Sequence, residues 1–191
     1  MNILSVILLL VSLTGPVGTE SCLVIQKRSI TINGDTSLGG FSCDYEISGV
    51  NDTLYFDNLP FSPYSFTIPV EAFRCGNFLL NRDFRSTLKA DEYPKVTVQV
   101  QSLEEKDKGL LTGCIKLLLV GKYKTLDDVE FCQSFANGRQ VLTADFVFYA
   151  SEFKLEPPKK LGGLVTTSDK MNISVSLVLD HSPHQSPCLS N

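Results

Sequence analysis

The side chains that most often do chemistry are sparse in this chain and badly placed for it. The only histidines, His181 and His184, stand among the last eleven residues. No Ser or Cys on a strand therefore has an imidazole base beside it, as nucleophilic hydrolysis requires. His181, His184 and Cys188 are spaced loosely like metal ligands, but one tail cluster lacks the supporting shell of a metal centre. The carboxylates fall mainly in loops and on wet strand faces, where burial does little to retune them. These patterns point away from an enzyme or a metal protein and towards binding. Arg82 and Arg85 share a short helical stretch. Their guanidinium forks suit a phosphate or other polar head group, or surface ion pairs with Asp83 and Asp91.

Six cysteines form an even set, as expected of disulfides made in an oxidising compartment. Cys114 and Cys132 have matching parity on consecutive predicted strands around a turn near 122–125, so a bridge between them is expected. Cys43 and Cys75 make a second pair on the N-terminal side. Cys22 and Cys188 remain for a third. The plainer alternative is that one or two of the six are buried thiols. Residues 3–13 form an apolar run followed by Gly15-Pro16, too short to span a bilayer but suited to a secretory signal over 1–19. Val17-Gly18-Thr19 is the better cleavage site, and Glu20 argues against lipid attachment at Cys22. The expected compartment is periplasmic or extracellular, with one domain over 22–180 and a loose polar tail over 181–191. A net charge of −4 with no basic stripe leaves nucleic acid a poor partner.

The elements that would position these groups are mostly strands. Alternating apolar and polar residues predict strands over 24–32, 38–48, 53–57, 65–73, 96–103, 109–123, 126–136, 140–149 and 172–179. Asn33-Gly34-Asp35, Gly39-Gly40 and Asn137-Gly138 read as turns, the last as a type I′ hairpin. Side-chain parity puts Val96, Val98 and Val100 on one face, with Ile115, Leu117 and Leu119 on the next strand. Val129, Phe131 and Phe135 follow, then Ile173, Val175, Leu177 and Leu179. No inward position on these faces carries a charge. One stretch, 81–93, has helical spacing instead, with Leu80, Phe84 and Leu88 recurring every four residues. The class predicted is all-β: a lipocalin-like antiparallel barrel of about eight strands, with one short helix capping it. Phe41, Tyr45, Phe66, Leu80, Phe84, Ile115, Leu117, Phe146 and Phe148 either line a cavity in that barrel or simply fill it.

Several segments resemble the YceI-like family. They are Ile32-Asn33-Gly34-Asp35-Thr36 leading to Phe41-Ser42-Cys43, then Phe73-Arg74-Cys75-Gly76-Asn77 before Arg82-Asp83-Phe84-Arg85-Ser86-Thr87-Leu88-Lys89. Gly113-Cys114-Ile115-Lys116-Leu117 and Phe153-Lys154-Leu155-Glu156-Pro157-Pro158 follow in order. The cysteine-bearing pieces look like a distinct branch, and Arg85 stands where many members carry His. The resemblance implies an exported barrel that binds a polyisoprenoid, a quinone-type lipid or another long-chain lipid. The expected partners are then an apolar lipid and, transiently, a membrane surface, with no cofactor of the catalytic kind. The alternative is a secreted barrel with a filled core, acting as a protein-interaction module.

Overall fold

Tight antiparallel hairpins with right-handed twist need positive φ at both central residues of the turn. Asn137 and Gly138 meet that demand at 51° and 73°, joining a strand that ends at Ala136 to one that starts at Arg139. The computed structural model describes residues 21–56, 63–107, 109–156 and 166–180; the expected leader over 1–19, Cys188 and the two tail histidines lie outside them. The strands are β1 (Ser21–Thr36), β2 (Gly39–Phe56), β3 (Tyr64–Pro69), β4 (Lys95–Asp107), β5 (Leu110–Leu119), β6 (Lys122–Ala136), β7 (Arg139–Tyr149) and β8 (Thr167–Leu179). The helix α1 (Phe78–Thr87) lies between β3 and β4.

All eight strands belong to one antiparallel sheet in the order β2-β1-β8-β7-β6-β5-β4-β3, curled into a nearly closed barrel. β2 and β3 are therefore the sheet's two edges. Among the described residues no β2–β3 ladder joins them. The seam is instead closed by the segment that follows β3, where Asp44 and Arg74 exchange two backbone hydrogen bonds of 2.9 and 2.8 Å. Immediately beside that bridge, Cys43 is disulfide-bonded to Cys75. The second expected pair therefore forms, and it sits where an exposed edge would otherwise be open to pairing.

The Cys114–Cys132 bridge does not form; both thiols are free. The expected turn at 122–125 is displaced to Val120 and Gly121, whose φ values are 48° and 70°. That displacement pairs Leu110, not Cys114, with Cys132. Four residues of strand, about 13 Å, then separate the two cysteines. Other boundaries move for related reasons. The Asn33-Gly34-Asp35 turn is absent because β1 runs through it to Thr36, and the ring of Phe41 lies where a side chain on Gly34 would be. Predicted strands 38–48 and 53–57 are one strand with an irregularity, and the helix begins at Phe78 rather than residue 81. Asn77 starts it: its side-chain oxygen accepts from the Leu80 N–H at 2.9 Å. Lys89, at a φ of 49°, lies just beyond its end.

The inward faces read from parity hold on β4, β5 and β8, and for Val129 and Phe131 on β6. Phe135 is the exception. It lies near the β6–β7 turn and is 75% exposed.

Candidate functional site

The barrel is not filled. A cavity of about 580 Å³ is lined by residues from every strand and from α1. Its wall is built from the alternate, inward positions of the strands: Val96, Val98 and Val100 on β4, Ile115, Leu117 and Leu119 on β5, and Ile173, Val175 and Leu177 on β8. Rings complete it, with Phe41, Phe66, Phe73, Phe131, Phe146 and Phe148 all on the surface of the cavity. From α1 and the residue after it, Leu80, Phe84 and Leu88 face the same space, with Phe84 packed on Phe73 at 5.1 Å between ring centres. The four-residue spacing of those three residues is what turns one helical stripe inward over the lumen.

Most of the anticipated lining residues therefore meet around one cavity: Phe41, Phe66, Leu80, Phe84, Ile115, Leu117, Phe146 and Phe148. Three do not. Tyr45 is buried, but in the packing beside the seam, against Phe73 at 5.6 Å. Arg82 and Arg85 point to the other side of α1. They border a surface depression with Phe78 and Lys89, and Arg85 donates to the Glu71 carbonyl at 3.1 Å. On a helix, positions two and five after Leu80 cannot share the stripe that Leu80 and Phe84 occupy, so the arginines are excluded from the lumen by geometry.

The inward faces do carry a charge. Arg28 lies on the same face of β1 as Ile30 and Ile32 and is only 3% exposed. Its guanidinium lies 3.5 Å over the Phe66 ring. Nη2 donates to Asp52 at 2.5 Å and to the Tyr64 hydroxyl at 3.3 Å. Burial, and then the hydrogen bond and charge of Asp52, hold the Tyr64 phenol above its ordinary range against the opposing pull of Arg28. It stays protonated. Arg28 Nε is buried and makes no hydrogen bond. A buried donor left without an acceptor costs roughly 1–3 kcal/mol, so this orphan calls for an explanation. The signal for Arg28 was in the sequence: counting back by twos from Ile32 and Ile30 reaches it. A register shift between Ile25 and Lys27 returns Ile25 to the interior and blurs the alternation.

Outside the barrel, the two free thiols differ. Cys132 is exposed, whereas Cys114 is half-buried with its Sγ 3.4 Å from Asp127 Oδ1. Burial first, then the hydrogen bond to Asp127 and the carboxylate charges of Asp127 and Asp128, push the Cys114 thiol up. A raised thiol pKa means less thiolate at a given pH and slower alkylation. Mass-mapped labelling of the native protein with iodoacetamide at pH 8 should therefore modify Cys132 before Cys114. Asp127→Asn should speed Cys114 severalfold while leaving Cys132 unchanged. Equal rates at the two sites would show that Asp127 has no hold on Cys114.

Among the described residues no cluster of three His, Cys, Asp or Glu side chains could hold a metal ion. No described helix is long and apolar enough to cross a membrane.

No protein-family model matches the sequence, and no curated protein matches it. Solved structures do. A polyisoprenoid binding domain from Saccharophagus degradans, implicated in plant cell wall breakdown, superposes with a TM-score of 0.61 at 13% identity. That match covers 84% of this chain and 98% of the other. BcnA of Burkholderia cenocepacia gives 0.56 at 18% identity, over 79% of this chain and 95% of BcnA. The YCEI protein of Campylobacter jejuni gives 0.50 at 17% identity, over 64% and 74%. The chain thus shares the YceI-like fold, an all-β lipocalin-like barrel with a short helix.

Proposed function

We propose that this chain is an exported, disulfide-closed member of the YceI-like group that carries a long-chain apolar lipid, isoprenoid or similar, inside its barrel. The observation that carries this reading is the 580 Å³ cavity, walled by aliphatic and aromatic side chains from all eight strands. Protein interiors are close-packed, and a void of this size forfeits the dispersion contacts of its whole lining. Filling it with a hydrocarbon returns those contacts and removes apolar ligand surface from water, at roughly 25 cal/mol per Å². The structural likeness to a polyisoprenoid binding domain supports the same ligand class. Lipid carriage requires no chemical step, and the protein's part is to shield the guest from water. The alternative, a filled barrel serving a protein partner, is disfavoured by the cavity itself.

Export rests on the apolar run at residues 3–13 and on the Cys43–Cys75 bridge, which belongs in an oxidising compartment. The tail over 181–191 would then lie outside the barrel domain at 22–180. Native mass spectrometry of protein purified from the exported fraction tests both halves. The expected spectrum shows a chain lacking its leader and carrying a lipid-sized adduct that organic extraction removes. A protein that always emerges empty, and takes up neither polyprenol, quinone nor fatty acyl probes, would sink the carrier reading.

A further inference from the structure

The cavity uses only the inner stripe of α1. On the outer side, Phe78, Arg82 and Arg85 are spaced by four and three residues, so they form one stripe opposite Leu80. Lys89, just past the helix, borders the same surface depression. Phe78 is 77% exposed and its neighbour Leu79 is 53% exposed. Among the described residues no ion pair engages Arg82, Arg85 or Lys89. Asp91 and Glu92 edge the depression beyond the last turn, and Asp83 borders the cavity instead. The lumen reaches the surface at this end: Leu38, on the β1–β2 turn, lines the cavity and is 80% exposed.

We propose that this end of the barrel docks on the surface of an anionic lipid bilayer. Phe78, Leu79 and Leu38 enter the interface, and Arg82, Arg85 and Lys89 reach its phosphates. Charge argues for the partner. The chain as a whole is negative, at −4, yet the outer stripe of α1 presents three cations around an exposed ring. Bare apolar side chains flanked by Arg and Lys are the pattern of a helix lying in a bilayer interface. The cores of protein interfaces are depleted of charge, and of Lys above all, so the same stripe fits a protein partner poorly. Placement argues for the purpose. Of the five large hydrophobic side chains more than half exposed among the described residues, Leu38, Phe78 and Leu79 are three. Leu38 stands on the lumen itself, and Leu79 is one turn before Asp83, which borders it. Docking here turns the mouth of the lumen towards the bilayer, so that a guest passes between the two without crossing water. That purpose, unlike the docking, rests on the carrier reading above.

Flotation with vesicles of phosphatidylcholine and about one third phosphatidylglycerol tests the docking face, with phosphatidylcholine alone for comparison. The protein should float with the mixed vesicles. Phe78→Ser with Leu79→Ser should weaken that binding at least about tenfold, and their exposure leaves the fold little to lose. Arg82→Gln with Lys89→Gln should weaken it about as much on the mixed vesicles and leave it unchanged on phosphatidylcholine alone. The chain has no tryptophan, so a single introduced indole reports its own surroundings. In Phe78→Trp the emission should shift to the blue and be quenched by brominated lipid. In Phe135→Trp, at the opposite end of β6 from the α1 side, neither should occur. No flotation, undiminished flotation of either double variant, or equal quenching in the two tryptophan variants would each overturn the docking face. A blue shift of Phe78→Trp that grows with protein concentration in the absence of vesicles would assign the face to a second copy and overturn it too. Uptake of a polyprenol from dilute ethanol, with no vesicles present, reads the carrier function separately: its failure with flotation intact would remove the cargo and leave the docking.

Discussion

Replacing Cys43 and Cys75 by Ala should cost the protein roughly 4 kcal/mol of stability and lower its melting temperature by about 8–15 °C. The estimate starts from chain entropy. The bridge closes a loop of sequence separation 32, and the loop-closure relation gives about 3.7 kcal/mol for that length. Truncating two side chains that are each 1% exposed adds a small packing loss. The structural consequence is local and specific. β2 and β3 share no ladder, so the Asp44–Arg74 bridge and the adjacent disulfide tie the edges at one end, while Arg28 links Asp52 on β2 to Tyr64 on β3 farther along. Cys43 also borders the cavity. The double variant should thus lose lipid as well as stability. Urea unfolding of the two proteins, followed by circular dichroism, measures the first effect, and retention of the bound lipid on dilution measures the second. A melting temperature lowered by less than about 3 °C would mean that packing around Phe73 and Tyr45 holds the seam without covalent help.

How much of this was readable beforehand depended on how far each feature lay from an irregularity. Over Val96–Val100 on β4, and on β5 and β8, the alternation is clean, and parity alone puts Val98, Leu117 and Val175 on the lumen. The four-residue spacing of Leu80, Phe84 and Leu88 marks α1, whereas its start is set by the Asn77 cap, which that apolar spacing does not report. The failures cluster at bulges and at turns with unhelpful residues. Val120 is β-branched and rarely takes positive φ, so nothing marked a turn there. The expected turn falls too late and shifts the expected register of β5 against β6, so the expected disulfide joins two cysteines that the observed register keeps about 13 Å apart. Arg28 was missed for a comparable reason. Its parity matches Ile30 and Ile32, but the irregularity beside Gln26 lets Ile25 share the interior, so the alternation along this strand does not single out Arg28. The arginines of α1 attracted attention because they are adjacent to a helix that faces the cavity, yet their own angular positions exclude them from it. The apolar parity of the strands predicts a water-free interior, while the lipid class is an expectation of the family resemblance alone. Only coordinates could show which arginine lies within the barrel wall.

Blocking the lumen should abolish binding while leaving the fold in place. Val98 on β4 and Leu117 on β5 are direct Cα partners, and both side chains line the cavity between its helix end and the Arg28 region. Indole rings at both positions would meet across the sheet and divide the space, so that a continuous chain could no longer thread from α1 to Tyr64. We expect Val98→Trp with Leu117→Trp to weaken binding of a sixteen-carbon probe by at least about tenfold, equivalent to ~1.4 kcal/mol. Placing large side chains in a packed core ordinarily costs about 1–3 kcal/mol through strain. Here the added atoms enter existing void, and the contacts they make with neighbouring aliphatic groups offset that cost. The melting temperature of the empty protein should therefore change by no more than a few degrees. The pair of measurements separates the two readings of the barrel. Binding that survives the double substitution, in a protein that melts normally, would place the ligand outside the lumen. Severe destabilisation of the same variant would mean that this part of the interior is already close-packed, with no room for a guest.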